Sequence, residues 1–252
     1  MSEAMQLALV ALVVFVTHFQ QGITGFGCTV LALPFITLLL GLPTAVPMLV
    51  MIGWLVAATI VVESWRRIVW REFAWIALPV GVAMPIGIWL AGALPVDALK
   101  LVLAAFTVLV GIQGLIKQCQ QAQPMQVSSR TRWTAGLFLP LGGVLHGAFG
   151  SGGPLVIIYA TRAILDKTLF RVTLCLLWTV LNAILIGQWI SRGTLTPHIW
   201  NMAGFAAPFA LIGVLLGSRI HYQTNVALFR KIVFSVLIAS GLVLGWSVLR
   251  SH

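Results

Sequence analysis

The chain has 252 residues, of which 60% are hydrophobic and 8% charged, against roughly a quarter charged in ordinary globular chains. With a mean hydropathy of +1.05 it cannot cover a water-facing surface with charge, which excludes a soluble fold, and it is too apolar to be disordered. The formal net charge of +10, from 15 Lys+Arg against 5 Asp+Glu, fits basic cytoplasmic loops on a membrane protein and excludes nucleic acid as a partner.

A membrane-spanning helix needs about 20 mostly apolar residues. The uncharged runs are 4–62, 73–96, 101–116, 133–161, 172–191, 193–218 and 232–249. The first is too long for one span and breaks at Gly41-Leu42-Pro43, a turn signal. That leaves 4–40 and 44–62. The only stretch resembling a soluble linker is 118–129. The expected organisation is therefore a first transmembrane repeat over residues 1–116, a cytoplasmic linker over 117–132 and a second repeat over 133–252. The N-terminus lacks the basic region of a cleaved signal peptide, so the first apolar stretch is expected to be retained. The cysteines, Cys28, Cys119 and Cys175, form no CxxC pair and no even framework. Neither a disulfide scaffold nor a metal site follows from them, and no cofactor is expected.

The two halves resemble each other. GITGFG at 22–27 has the pattern GxxGxG, and so does GAFGSG at 147–152, 125 positions later (147 − 22). Gln21 precedes one copy and His146 the other. Near the end of each half, Val96, Lys100 and Gly111 match Val226, Arg230 and Gly241 at an offset of 130 (226 − 96). This points to a duplication.

Positive charge decides the topology. If 4–40 and the segment beginning at 133 each cross once, the 15 basic residues divide 8 to 7 between the two sides, which is no bias. If each is a hairpin that enters and leaves on one side, the halves are inverted. Then Arg66, Arg67, Arg71, Lys117, Arg130, Arg132, Arg162, Lys167, Arg171, Arg219, Arg230 and Lys231 share one side, against Lys100, Arg192 and Arg250, or 12 to 3 of the 15. The positive-inside rule favours this arrangement. It places both termini in the periplasm. The expected fold is an all-α polytopic membrane protein of two inverted repeats, each a re-entrant Gly-tipped helical hairpin plus three transmembrane helices.

Irregular backbone at membrane depth survives only where it lines a cavity or is buried in protein. Beyond each tip a helix should begin, near Cys28 and Thr29 and near Gly153 and Pro154. Pro154 suits a first helical position, where its missing N–H costs nothing. Helix N-termini expose free N–H groups and bind anions. Two tips meeting between the halves would form one anion cradle, built from Gly22, Gly25, Phe26, Gly27, Cys28 and Thr29 on one side and Gly147, Gly150, Ser151, Gly152 and Gly153 on the other. Thr24, Thr29 and Ser151 add hydroxyl donors, while Gln21 and His146 orient the ligand. The alternative for each glycine is close helix packing alone.

Other polar residues in the apolar runs carry weaker signals. Asn182 faces the site or bonds a neighbouring helix. Trp54 and Trp178 lie in matching register, give or take one residue, and are candidate cavity walls. His18 is a candidate for proton coupling, as is His146, or is satisfied by a backbone carbonyl. Glu3, Glu63, Glu72, Asp97 and Asp166 fall at ends or loops, so no carboxylate lies within an expected span. This argues against a cation-channel ring and fits an anion site. An intramembrane hydrolase built on Ser151 lacks the GxSxG context. A membrane scaffold or accessory subunit remains the rival class.

QGITGFG at 21–27, Leu33-Pro34, and HGAFGSGGP at 146–154 resemble the TauE/SafE group of bacterial membrane proteins, described as sulfite and organosulfonate exporters or permeases. The resemblance covers nearly the whole chain. It implies transport of a small anion across the bacterial inner membrane, with sulfite, an organosulfonate or a related oxyanion as substrate. The expected mechanism is alternating access around a midplane site between the tips. The partners expected are a small anionic substrate and the lipid bilayer, with homo-oligomer formation left open.

Overall fold

The structure is a computed structural model and describes residues 2–24, 27–120, 134–220 and 226–250. Among these it contains helices and no strand. The first half comprises α1 (Glu3–Thr24), α2 (Cys28–Leu40), α3 (Leu42–Ser64), a 3-10 turn at Trp65–Arg67, α4 (Trp70–Ala93) and α5 (Val96–Gln120). The second comprises α6 (Phe138–Phe149), α7 (Gly153–Ala163), α8 (Lys167–Ser191), α9 (Pro197–Ile220) and α10 (Val226–Leu249).

Glycine and capping chemistry set the breaks. Gly27, at φ 91°, precedes α2, and Gly41, at φ 78°, separates α2 from α3. These are backbone conformations that a side chain disfavours. Asp166 starts α8, its Oδ1 accepting from the Thr168 and Leu169 N–H groups at 2.8 and 2.9 Å, an N-cap of the usual kind. Within the described residues, six helices are long and apolar enough to cross a membrane: Glu3–Gly22, Leu42–Arg67, Trp70–Ala93, Val96–Ile116, Lys167–Ser191 and Pro197–Arg219. Leu78, Val82, Trp89 and Leu109 are more than 60% exposed. Helices that are apolar on their outer face as well as toward the core are solvated by lipid. The chain is a multi-pass membrane protein.

The sequence reading makes 4–40 two short arms. The first arm is not short: α1 has 22 residues, about 33 Å at 1.5 Å per residue. It is nevertheless one arm of a hairpin, because Gln6 Nε2 near its start donates to the Leu39 carbonyl at the end of α2, 2.5 Å away. In the second half, Gly142 of α6 packs on Leu155 and Val156 of α7, and Gly136 lies beside Tyr159. Those contacts also run antiparallel. α5 extends through Gln120, into the segment read as linker.

Each hairpin packs on a helix of the other half. Gly22 and Gly217 bring α1 against α9 backbone to backbone; a Cβ on Gly22 would sit 2.5 Å from the Val214 carbonyl oxygen. Gly147 and Gly87 do the same for α6 and α4, where a Cβ on Gly147 would overlap the Met84 carbonyl. The two crossings correspond under the sequence offsets, 22 + 125 = 147 and 217 − 130 = 87. Small residues permit such close approach in lipid, where van der Waals packing drives association.

The remaining pairs join equivalent helices. Gly111 of α5 packs on Phe234 and Ile238 of α10, and Gly241 of α10 packs on Ala104 and Val108 of α5. Subtracting 130 turns Phe234, Ile238 and Gly241 into Ala104, Val108 and Gly111, so the contact maps onto itself. The direction of the pairing makes α5 and α10 antiparallel. α3 and α8 are paired as well. The main apolar core, including Leu49, Ile52, Leu174, Leu177 and Leu181, lies between them.

Candidate functional site

The two hairpin tips and the α3–α8 pair enclose a cavity of ≈ 500 Å³, counting its open mouth. Gly27, Cys28, Thr29 and Val30 line it from the start of α2, and Gly150, Ser151 and Gly153 from the turn before α7. Gln21 and His146 contribute from the first arms, Gly53 and Ala57 from α3, and Trp178 and Asn182 from α8. Gly53 stands eleven residues from either end of α3 (53 − 42 = 64 − 53).

Two helices begin at this cavity. α2 starts at Cys28 and α7 at Gly153, where the sequence reading places them, and neither has a side-chain cap. The first N–H groups of a helix have no intrahelical partner. Those of Cys28, Thr29 and Val30 therefore lie at the cavity lining, with that of Gly153 opposite. Pro154 occupies the first turn of α7, which costs that end one donor. Gly150, at φ 62°, closes the second tip with the Val50 side chain where its Cβ would be.

The side chains present polar atoms that the protein leaves unsatisfied. Gln21 Oε1, Ser151 Oγ and Asn182 Oδ1 are buried without a hydrogen-bond partner. Neither nitrogen of buried His146 makes a well-formed hydrogen bond, with the Asn182 side chain beside it. An unpaired buried polar atom costs about 1–3 kcal/mol. Four such residues around one cavity make it the candidate site, since buried polar atoms in folded proteins are normally paired. The His146 ring stacks on Trp178, with centroids 5.5 Å apart and planes at 23°. None of the lining residues is Lys, Arg, Asp or Glu. Ser151 Oγ and a His146 ring N–H can donate to a small polar ligand, the Gln21 and Asn182 amide oxygens can only accept from one, and the two helix N-termini add backbone donors.

Of the residues singled out from sequence, Gln21, Gly27, Cys28, Thr29, His146, Gly150, Ser151, Gly153 and Asn182 share this cavity. Gly22 and Gly147 lie instead at the helix crossings, and Gly152 packs against the Gly142 carbonyl. Gly25 and Phe26 fall outside the described residues, and the Thr24 side chain is likewise not described. Trp54 is 38% exposed and is not part of the lining, whereas Trp178 is. At the exact offset of 125, the partner of Trp178 is Gly53 (178 − 125). Gly53, Ala57 and Val30 carry no polar signal and escaped the reading. His18 is buried with its Nδ1 2.8 Å from the Val14 carbonyl, outside the cavity. Glu72, assigned to a loop, is buried in the first turn of α4 and accepts a hydrogen bond from Tyr159 Oη at 3.2 Å. Among the described residues no group of three or more His, Cys, Asp or Glu is placed to hold a metal.

Comparison with known proteins bears on the whole of this architecture. The family model described as "Sulfite exporter TauE/SafE" matches residues 10–244. The chain is 28% identical over 243 residues to "Probable sulfite/organosulfonate exporter TauE" of Cupriavidus necator, covering 93% of this chain and 91% of that one. It is 29% identical over 182 residues to "Probable inner membrane transporter protein TsaS" of Comamonas testosteroni, covering 72% of this chain and 74% of that one. No solved structure matches it. With both glycine tips and most of the first and last helices inside the matched span, the chain belongs to the TauE/SafE family of membrane transporters.

Proposed function

We propose that the chain carries a small oxyanion across the bacterial inner membrane by alternating access, binding it in the cavity between the hairpin tips. The observation that carries this reading is the convergence of four buried, unsatisfied polar side chains, Gln21, His146, Ser151 and Asn182, on two uncapped helix N-termini. Helix N-termini favour anions. Hydrogen bonds to a charged group contribute about 1.5–3 kcal/mol each, so a handful can replace part of an anion's hydration shell. Among its described residues the site holds no fixed cation. Transport needs a ligand bound tightly enough to enter and weakly enough to leave, and neutral donors suit both.

The proposed substrate is sulfite, an organosulfonate or a related oxyanion, following the printed names of the relatives. The proposed frame is two inverted halves with the hairpins re-entrant. Three observations support it. The equivalent helices α5 and α10 run antiparallel. The arms of each hairpin return toward the end from which they start. The basic residues then divide 12 to 3 of 15. With Gly53 halfway along α3, the cavity would lie near the membrane midplane, as in transporters built from inverted repeats.

The test is a thermal-shift panel on detergent-purified protein with sulfite, sulfate, thiosulfate, sulfoacetate, taurine, toluenesulfonate, acetate and chloride at matched ionic strength. A ligand at 100 times its Kd adds about 2.7 kcal/mol when it binds only the folded state. A selective shift for a sulfur oxyanion, lost in Asn182→Leu, is the expected result. No shift for any anion would discard the reading.

A further inference from the structure

A second cavity, of ≈ 710 Å³ counting its open side, lies between the C-terminal halves of α4 and α8. Pro85, Ile88 and Trp89 of α4 form an apolar wall, and Gln188 of α8 with Arg192 just beyond it a polar edge. None of these residues lines the central cavity, but two adjoin elements that do. The Ile88 backbone packs against Gly147 in the first arm of the second hairpin. Gln188 is six residues beyond Asn182 on α8 (188 − 182), about 9 Å at 1.5 Å per residue.

Three cations would share this end of the bundle, and their surroundings differ. Lys100 Nζ is 2.8 Å from Asp97 Oδ1. The Arg250 guanidinium lies over the Trp246 ring, 5.4 Å from its centroid. The Arg192 guanidinium instead meets the Gln188 amide oxygen at 3.1 and 3.2 Å, once the amide is oriented to satisfy both groups. A neutral amide fixes the guanidinium without cancelling its charge. Arg192 also follows the last carbonyls of α8, but a helix terminus carries only about half an elementary charge. Among the described residues no carboxylate pairs with Arg192.

We propose that this groove is a second anion site, for an oxyanion that carries an apolar body. The sulfonate would sit on Arg192, which can grip it with two parallel N–H groups. The hydrocarbon would lie against Trp89, Ile88 and Pro85. An organosulfonate staged outside the central cavity has this chemistry, and so does an anionic lipid headgroup with its chains. The inference rests on the anion-transport reading above, and it adds a waiting position on the route to the central cavity.

The test uses full-length protein in phosphatidylcholine nanodiscs, titrated with radiolabelled benzenesulfonate and separately with sulfite. Wild type should bind two benzenesulfonates per chain and one sulfite. Arg192→Gln should weaken the second benzenesulfonate site at least tenfold, and Arg192→Lys, which keeps the charge but not the two-pronged grip, should weaken it less. Asn182→Leu should lose the central site and keep the outer one, so failure here is distinguishable from failure of the central-site reading. In phosphatidylglycerol nanodiscs, loss of the second benzenesulfonate site, with one lipid retained by wild type and released by Arg192→Gln in native mass spectrometry, would assign the same site to lipid. A single benzenesulfonate site in wild type, with lipid retention unchanged in Arg192→Gln, would overturn the proposal.

Discussion

The imidazole of His146 lies against the indole of Trp178, the rings 5.5 Å apart and inclined by 23°. One residue comes from a hairpin and the other from α8, so the stack ties the tip to the central helix pair. It also covers one ring face of a residue whose two nitrogens are buried without a hydrogen-bond partner. Aromatic pairs contribute about 0.5–1.5 kcal/mol beyond burial. Trp178→Ala should therefore weaken anion binding by about two- to tenfold, since 1.4 kcal/mol is a factor of ten. Trp178→Phe should cost less than half as much in free energy. His146→Leu should abolish binding and His146→Gln preserve part of it. Ligand-induced thermal shifts on each variant check the order.

Gly53 predicts a change of specificity without a change of fold. A methyl group there would meet the Asn182 amide nitrogen at 3.5 Å and the Thr29 hydroxyl at 3.8 Å, both ordinary contacts. Gly53→Ala should fold normally and narrow the cavity. Transport of an arylsulfonate should fall more steeply than that of sulfite, measured as paired uptake rates in proteoliposomes. Equal losses for both anions would show that Gly53 does not shape the substrate space.

The helix crossings give the opposite expectation. Gly22→Ala and Gly147→Ala would drive a methyl into the backbone of α9 and α4. Overpacking typically costs about 1–3 kcal/mol and more where backbone must move. Both variants should lower the melting temperature or fail to purify as monodisperse protein. Gly81→Ala and Gly204→Ala, where nothing lies within 4 Å of the added carbon, should melt as wild type or slightly higher. Size-exclusion profiles and thermal melts separate the two groups.

At the second tip two obstacles to a side chain can be told apart. Gly150 has φ 62°, and the Val50 side chain occupies the place of its Cβ. A left-handed backbone costs a non-glycine residue about 1–2 kcal/mol. Gly150→Ala should cost more than that, and adding Val50→Ala should recover part of the loss. A double-mutant cycle in thermal stability would then show coupling, as residues in contact do. Strict additivity would mean that the backbone angle alone forbids the substitution.

Topology is open to labelling. In a cysteine-free background, Gln118→Cys and Leu165→Cys should react with a membrane-impermeant maleimide only from the cytoplasmic side, and Thr194→Cys only from the periplasmic side. Opposite accessibility of the first two positions would discard the inverted hairpins and leave membership of the transporter family intact.

Much of the site was legible because glycine leaves a mark wherever a chain must turn or approach closely in lipid. The duplicated GxxGxG located both tips, and the helix starts at Cys28 and Gly153 followed from them. The same signal could not separate glycines that line the cavity, such as Gly27 and Gly150, from those that seat one helix on another, such as Gly22 and Gly147. That distinction depends on partners far along the chain, Gly217 for Gly22 and Met84 for Gly147. Trp54 drew attention as an aromatic in nearly the right register, while its neighbour Gly53 faces the cavity and has no side chain to announce it. Glu72 was set aside because a charged residue ends an uncharged run. The hydroxyl of Tyr159, 87 positions on, lets that carboxylate enter the first turn of α4. The length of α1 was obscured for a related reason, since continuous apolarity does not reveal where an arm turns.

The exchange of hairpins between halves sets a schedule for synthesis. α1 ends at Thr24, and its glycine-matched partner α9 begins only at Pro197, 173 residues later (197 − 24). At roughly 5–20 residues per second the first hairpin would spend on the order of ten seconds or more in the membrane before that surface is covered. Gln21 would wait with it, far from most of the groups that later surround it. Neither half can complete its own interior, so the cavity between the tips exists only once both have been made, and a ribosome that stalls in the second half leaves behind a hairpin for quality control to remove.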